Sequence, residues 1–296
     1  MKFGTGPIKD LQAGRLSPDD IDAAMSLSRE AGWNQTQADW RILLDVGQGY
    51  CYRSDDGSVV ATAVTLPHGE RIAWISMVLV TKSFQKQGLA TRLLKTCVQE
   101  LTRRSICPLL DATVYGKPVY EKMGFRPLYG MQRRVCTQVP KSIPETVPLP
   151  EDHRLAPVLL SDLPEIIAFD RLLFGADRSA ILSHLHARQP DYAILCRDRS
   201  RQICGFVMAR EGLQALHLGP VLARSPDIAE ALLRSLLEKE SGPLYIDTLD
   251  GQDRFLVWIE ACGFVPQRSF TRMVLGDPAL FDPPDHIFAM AGPELG

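Results

Sequence analysis

The sequence predicts an α/β fold: a mixed, mostly antiparallel twisted sheet flanked by helices, built twice in tandem. Three observations predict it. Apolar runs of strand length alternate with runs of helical period. The strand-like run Ala73 to Val80 passes through a small-residue turn into a helical run from Leu89 to Leu101. The same arrangement then recurs. Leu89, Leu93, Leu94, Cys97 and Val98 have the same spacing as Ile228, Leu232, Leu233, Leu236 and Leu237, and thirty-five positions separate Leu89 from Gly124-Phe125 and Ile228 from Gly263-Phe264. Equal spacing across a helix, a strand and a second helix reads as a duplication.

Taken in order, the first half has helices over 18–31 and 37–45, the first stopped by Gly32 and Asn34. Strands are expected over 49–53, 58–66 and 72–80. The motif helix follows, then a strand over 108–114, a helix over 117–123 and a strand over 130–139. Thr137 to Asp152 carries Pro140, Pro144, Pro148 and Pro150 and can continue neither a helix nor a central strand. The expected division is therefore a domain over 1–139, a linker over 140–152 and a second domain over 153–296. In the second half, helices over 162–174 and 177–187 precede strands over 191–197, 202–210 and 214–222. A helix over 226–239, a strand over 243–248, a helix over 253–262 and a strand over 270–275 complete it. Phe281 to Gly296 is expected to dock as an apolar segment on the body.

Composition narrows the function. The chain has 296 residues, 45% of them hydrophobic, and a net charge of −2, so it can bury real cores and offers no basic surface for nucleic acid. No apolar run reaches the ~18 residues of a membrane span, and Met1 to Gly6 has no signal-peptide core. The seven cysteines form no C-x-x-C pair, which fits reduced thiols in a cytoplasmic protein.

Gln85-Lys86-Gln87-Gly88-Leu89-Ala90 matches (Arg/Gln)-x-x-Gly-x-(Gly/Ala). Strand, small-residue turn and helix N-terminus together make an anion site, because first-turn amides lack helical partners and Gly88 lets a phosphate approach. A dinucleotide fold would want G-x-G-x-x-G, and a Walker loop would want Gly-Lys-Ser/Thr. Neither is present. With Met77-Val78-Leu79-Val80 before the motif and Tyr120-Glu121-Lys122-Met123-Gly124-Phe125 after it, residues 10–137 resemble the GNAT superfamily of acyl-CoA-dependent N-acyltransferases. Gly32-Trp33-Asn34-Gln35 with Asp39-Trp40, Leu110-Asp111-Ala112-Thr113 and Phe174-Gly175-Ala176-Asp177-Arg178 further resemble the YitH-like tandem GNAT proteins.

The resemblance implies two tandem GNAT-like domains and an acetyl-CoA-dependent N-acetyltransferase. The amides of Gln87, Gly88, Leu89, Ala90 and Thr91, with Gln85 and Lys86, would cradle the pyrophosphate of coenzyme A. The backbone of Val78, Leu79 and Val80 would pair with the pantetheine arm like an added strand, with a splay or bulge leaving those groups free. An N–H near Val78 would steady the oxyanion. Tyr120 is the candidate general acid, with Tyr115 as its neighbour and competitor. A phenol near ~10 gives its proton to a thiolate near ~8.5 at a cost of about 2 kcal/mol. The family's strand carboxylate is absent between Arg71 and Met77. Glu70 or Asp111 could serve as base, directly or through water, or a weakly basic acceptor could need none. Trp33, Asn34 and Gln35 would border the acceptor, taken as the primary amine of a small metabolite attacking the thioester in a ternary complex. A protein or peptide amine and a non-catalytic coenzyme A sensor are the alternatives.

The second half does not repeat this chemistry. Val80 precedes Leu89 by nine positions but Leu222 precedes Ile228 by six, and Ala223-Arg224-Ser225-Pro226-Asp227 has no Gly. Pro220 removes a strand N–H, and Ile259 stands where Tyr120 stands. Ser225-Pro226-Asp227 reads as an ordinary helix start. One cofactor per chain is expected. Asp170 and Asp177-Arg178 read as an ion pair or cap, with a substrate role as the alternative. His184 and His186, two apart on a helix, point apart, so no metal site is expected.

Overall fold

The apolar periodicity becomes two units, seen in a computed structural model that describes residues 11–277 and 284–296. The expectations for Met1 to Gly6 and for 281–283 lie outside the described residues. The first unit holds the residues up to Leu110 with Val274–Gly276 and Leu295, and the second holds the remainder from Asp111.

In the first unit, β1 (Leu11–Arg15) precedes α1 (Ile21–Glu30) and α2 (Gln37–Val46), then β2 (Gln48–Ser54), β3 (Val59–His68), β4 (Ile72–Val80), α3 (Leu89–Arg103) and β5 (Cys107–Thr113), whose last three residues count with the second unit. Its sheet runs β1-β2-β3-β4-β5. Neighbours are antiparallel except β4 and β5, which are parallel because α3 crosses between them. The α3 stripe Leu89, Leu93, Leu94, Cys97 and Leu101 is buried, and α3 packs on β3 and β4. β1 lay outside the sequence expectation because Leu11–Arg15 is exposed along most of its length and carries no apolar alternation.

The second unit contains α4 (Lys117–Glu121), β6 (Arg126–Cys136), β7 (Arg154–Pro157), α5 (Leu163–Phe174), α6 (Ser179–Arg188), β8 (Ile194–Arg197), β9 (Ile203–Arg210), β10 (Leu216–Ala223), α7 (Pro226–Leu237), β11 (Leu244–Leu249), α8 (Asp253–Ala261), β12 (Val265–Val274) and β13 (Ile287–Ala289). Its strand order is β12-β6-β11-β13-β10-β9-β8-β7, with β11 also pairing β10 directly. Ser225 caps α7 by accepting from the Ile228 N–H, with Pro226 in its first turn, as the sequence predicts.

The repeat and the packing divide the chain at different places. β6 ends the first copy in sequence, yet it pairs in the second unit with β11 from Met131↔Leu249 to Cys136↔Leu244. β12, its counterpart in the second copy, lies on the far side of β6. The last strand of the first copy is thus exchanged into the second copy's sheet, and the compact boundary falls at Leu110/Asp111 rather than in the linker. Residues 140–152 carry no helix or strand. They do not swing free, because Val139, Ile143 and Leu149 pack on the apolar core of the second unit.

All seven cysteines are unpaired and six are buried. Burial pushes the Cys97 thiol up to about 12, so it stays protonated and unreactive at neutral pH. Among the described residues no helix is long and apolar enough to cross a membrane.

Candidate functional site

β4 begins as a regular strand and then changes. It pairs with β5 only at Ile72↔Cys107, Ala73↔Pro108 and Trp74↔Leu109. On its other edge the register to β3 steps between Val64↔Ser76 and Thr62↔Leu79, so two residues of β4 face one of β3. Met77 takes φ 51 at this bulge, and Thr62 Oγ1 donates to its carbonyl at 2.8 Å. Past Trp74, β4 therefore keeps a strand partner on the β3 side only among the described residues. Val78 and Val80 are half-buried there.

The chain then turns through residues that an anion site needs. Thr81 N–H bonds Val60 O at 3.0 Å and Gln85 Nε2 bonds Val80 O at 3.0 Å, which pins the loop to the strand end. The backbone N–H of Lys82 bonds Glu30 at 2.9 Å and holds that carboxyl below its ordinary range, tying the loop to α1. Lys86 and Gly88 are both left-handed, at φ 62 and φ 84. Such alternation turns successive amides toward one concave face. Gly88 is the N-cap of α3, and nothing lies within 4 Å of where its Cβ would be. The first intrahelical bond is Arg92 N–H to Gly88 O, at 3.1 Å. Leu89, Ala90 and Thr91 hold first-turn amides that no helical carbonyl can reach. Lys82, Lys86 and Arg92 lie close to them in the sequence.

The expected acceptor residues lie in the connection between α1 and α2. Gly32 at φ 67 ends α1, with Trp33 N–H bonded back to Ser28 O at 2.9 Å. The tryptophan buried under this turn is Trp40, whose Nε1 donates to Ser28 Oγ at 3.0 Å, while Trp33 is half-exposed. Thr36 and Asp39 form a capping box for α2. Asn34 and Gln35 are buried, and Gln35 Oε1 has no hydrogen-bond partner. A buried amide oxygen left without a donor is costly and suits an incoming N–H.

Tyr120 lies on α4. Its ring is 6.1 Å from that of Phe125, and a Cβ on Gly116 would sit 2.9 Å from it, so Gly116 makes room for the phenol. Burial pushes the Tyr120 phenol above its ordinary value. Tyr115 is 92% exposed and packs on nothing that would aim it. Ile259, at the equivalent place in α8, is buried and carries no proton to give.

Neither expected base fits. Glu70 is exposed in the turn that starts β4. Eight residues at about 3.3 Å each put it roughly 25 Å from Val78, beyond direct or single-water reach. The carboxylate of Asp111 is fully buried and clasped by Arg272, Nε to Oδ1 at 2.8 Å and Nη2 to Oδ2 at 2.8 Å. Arg272 also donates to Tyr129 Oη at 2.9 Å. A carboxylate committed to both arms of a guanidinium is an anchor rather than a proton acceptor.

The other singled-out groups are structural. Asp170 and Arg178 form a buried pair, Nη2 to Oδ1 at 2.5 Å, with Arg178 over the Phe174 ring. Asp177 accepts from the Ser179 N–H at 2.9 Å at the start of α6 and pairs with Arg171. His186 Nε2 lies 3.0 Å from Val158 O. Among the described residues no cluster of three or more His, Cys, Asp and Glu could hold a metal ion.

The chain is similar to known acetyltransferases along both halves. A model described as the acetyltransferase (GNAT) family matches residues 19–125, and one described as an acetyltransferase (GNAT) domain matches residues 166–289. The uncharacterized N-acetyltransferase YitH of Bacillus subtilis (strain 168) is 27% identical over 234 residues, 79% of this chain and 80% of that protein. A solved chain from Pyrococcus horikoshii superposes with a TM-score of 0.79 at 20% identity, covering 100% of this chain and 99% of its own. A tandem GNAT protein from the clavulanic acid biosynthesis pathway gives 0.65 at 12% identity, covering 90% and 99%. At these identities the two solved structures speak for the fold.

Proposed function

We propose, on the premise that the chain is a GNAT-fold acyltransferase of two domains, that its first unit binds acetyl-CoA and that the chain transfers the acetyl group to a primary amine of a small metabolite, with YitH of Bacillus subtilis in the same tandem subfamily. One observation carries the cofactor assignment. β4 leaves β5 at Trp74 and bulges at Met77, which frees strand edge directly before the left-handed loop at Lys86 and Gly88. A pantetheine arm needs such an edge, and a pyrophosphate needs such amides.

Roles follow from chemistry. The backbone at Val78, Leu79 and Val80 pairs with the pantetheine amides, and the N–H near Val78 takes the oxyanion. Gln87 to Thr91 hold the pyrophosphate, with Gln85 fixing the loop and Lys86 adding charge. Tyr120 gives its proton to the departing thiolate, and the proton that the attacking nitrogen sheds passes through water to restore the phenol. With its phenol raised, the transfer costs more than the about 2 kcal/mol of unperturbed groups, and the phenol stays protonated beyond pH ~10. Asn34 and Gln35 border the acceptor, with Gln35 Oε1 accepting from the amine. The amine binds in its neutral form, since Glu70 is remote and Asp111 is held by Arg272.

Binding, turnover and pH dependence test this reading. Calorimetry is expected to give one acetyl-CoA per chain, and thiol release is expected with at least one amine of a panel. Binding without release for every amine would make the protein a sensor. Tyr120→Phe is expected to lower kcat by about 100-fold with KM for acetyl-CoA little changed; an unchanged kcat removes Tyr120 from the mechanism. kcat/KM is expected to rise with pH as the amine deprotonates, with no fall from Tyr120 below pH ~10. Glu70→Gln is expected to leave that profile in place, and a shifted limb would return Glu70 to the role of base.

A further inference from the structure

We propose that the second unit has turned its cofactor slot into a strand-binding groove whose ligand is the chain's own segment Asp285–Gly296. The comparison rests on the cofactor reading of the first unit.

The second copy keeps the backbone that would receive a pantetheine arm. β10 and β11 pair in parallel for three residues, Leu216↔Leu244 to Leu218↔Ile246, as β4 and β5 do. The register of β10 to β9 steps between Leu218↔Ala209 and Val221↔Val207, the same one-residue excess as in β4. Residues 142 positions apart therefore correspond: Ser76 and Leu218, Met77 and Gly219, Val78 and Pro220, Leu79 and Val221. Beyond Leu218 the strands separate, as they do beyond Trp74 in the first copy.

In the second copy the gap is filled. β13 pairs antiparallel with β10 at Val221↔Ala289 and Leu222↔Ile287, and with β11 at Thr248↔Ala289. Ala223 N–H bonds His286 O at 3.0 Å, and Met290 N–H bonds Asp247 O at 2.9 Å. The segment uses the strand-edge groups that a pantetheine arm would use. Phe288 is buried against Phe255, ring centroids 5.2 Å apart.

Two details show adaptation to a peptide. Gly219 has φ 147, and a Cβ there would lie 2.0 Å from Met290 O, so glycine is what lets this backbone in. The corresponding Met77 carries a side chain and, among the described residues, has a strand partner on the β3 side only. Further along, Glu294 is 3% exposed and pairs with buried Arg210, and Arg178 Nη1 donates to Gly296 O at 2.7 Å. Two buried arginines thus hold the acidic end of the segment. The phosphate loop is gone, with Ser225 capping α7 in its place. A groove of this kind selects a strand with small or apolar side chains and a carboxylate five residues beyond Ala289.

Hydrogen exchange on the full chain tests this at named amides. Ala223 and Met290 report the segment, Arg224 N–H (bonded to Cys204 O at 2.8 Å) reports the β9 side of β10, and Thr81 reports the first unit. Gly219→Ala is expected to speed exchange at Ala223 and Met290 by at least about tenfold, with Arg224 and Thr81 unchanged. Equal acceleration at Arg224 would make the segment an inseparable part of the core and overturn the proposal, as would no acceleration. A chain ending at Asp285 is then mixed with a peptide of residues 284–296. One-to-one binding that restores protection at Ala223 supports the groove; a folded truncated chain that ignores the peptide, or that instead gains protection at Ala223 from acetyl-CoA, overturns it. Acetyl-CoA added to the intact chain is expected to protect Gln87 to Thr91. Failure there would sink the cofactor reading and leave the peptide result standing.

Discussion

Gly88→Trp is expected to abolish acetyl-CoA binding and with it thiol release, while the circular dichroism and melting temperature stay close to those of the parent. The position is left-handed at φ 84, where a side chain costs of order 1–3 kcal/mol of strain. Nothing lies within 4 Å of the Cβ direction, so an indole can be housed without breaking the core. It would stand over the amides of Leu89, Ala90 and Thr91, where the pyrophosphate is proposed to sit. Losing two or three charge-assisted amide contacts at about 1.5–3 kcal/mol each predicts at least a hundredfold weaker binding. Gly88→Ala separates the two effects, since it adds most of the strain and little bulk. Normal affinity in Gly88→Trp, read by calorimetry, would remove the loop from the site.

Arg272→Ala is expected to be the most destabilising single change in the second unit. Its guanidinium holds both oxygens of Asp111 and the Tyr129 hydroxyl, and is 1% exposed. Removing one partner of a buried pair leaves the other charge uncompensated, at about 3–5 kcal/mol. At roughly 2–4 °C per kcal/mol for a domain of this size, the transition assigned to the second unit should fall by about 10 °C in calorimetry. Replacing both partners, Arg272→Met with Asp111→Leu, should recover most of the loss, because the desolvation of both charges disappears together. A double variant as unstable as the single would mean that Arg272 matters through packing. Asp111→Asn is expected to lower stability without moving the pH limb of kcat/KM; a moved limb would restore Asp111 as a base.

Much of the candidate site was legible along the chain because it is local. A strand end, a turn and a helix start lie within Val78 to Thr91, and a helix N-terminus offers its amides whatever surrounds it. The divergence of the second copy's loop was legible for the same reason, as three missing residues and a proline in one short window. The base was not, because it depends on reach. Glu70 is close in sequence to the motif strand, but an extended strand carries it away at about 3.3 Å per residue. Asp111 is disqualified by Arg272, 161 positions later. Trp40 fills the space under the first helix turn, which only packing decides.

The sequence by itself determined the two copies, most of their elements and which copy carries the glycine loop. Apolar period, caps and turn residues act over a few positions and are the same in any surroundings. Tertiary structure alone decided which strands pair. β6 reads as the end of the first copy and pairs with β11 of the second, since strand edges of equal pattern do not distinguish their own copy from the other. It also decided that Ile287–Ala289, too short to announce itself as a strand, enters the gap beside Gly219. A backbone edge with unmet hydrogen bonds is satisfied by whatever strand reaches it. Which partner does so is settled by the path of the whole chain.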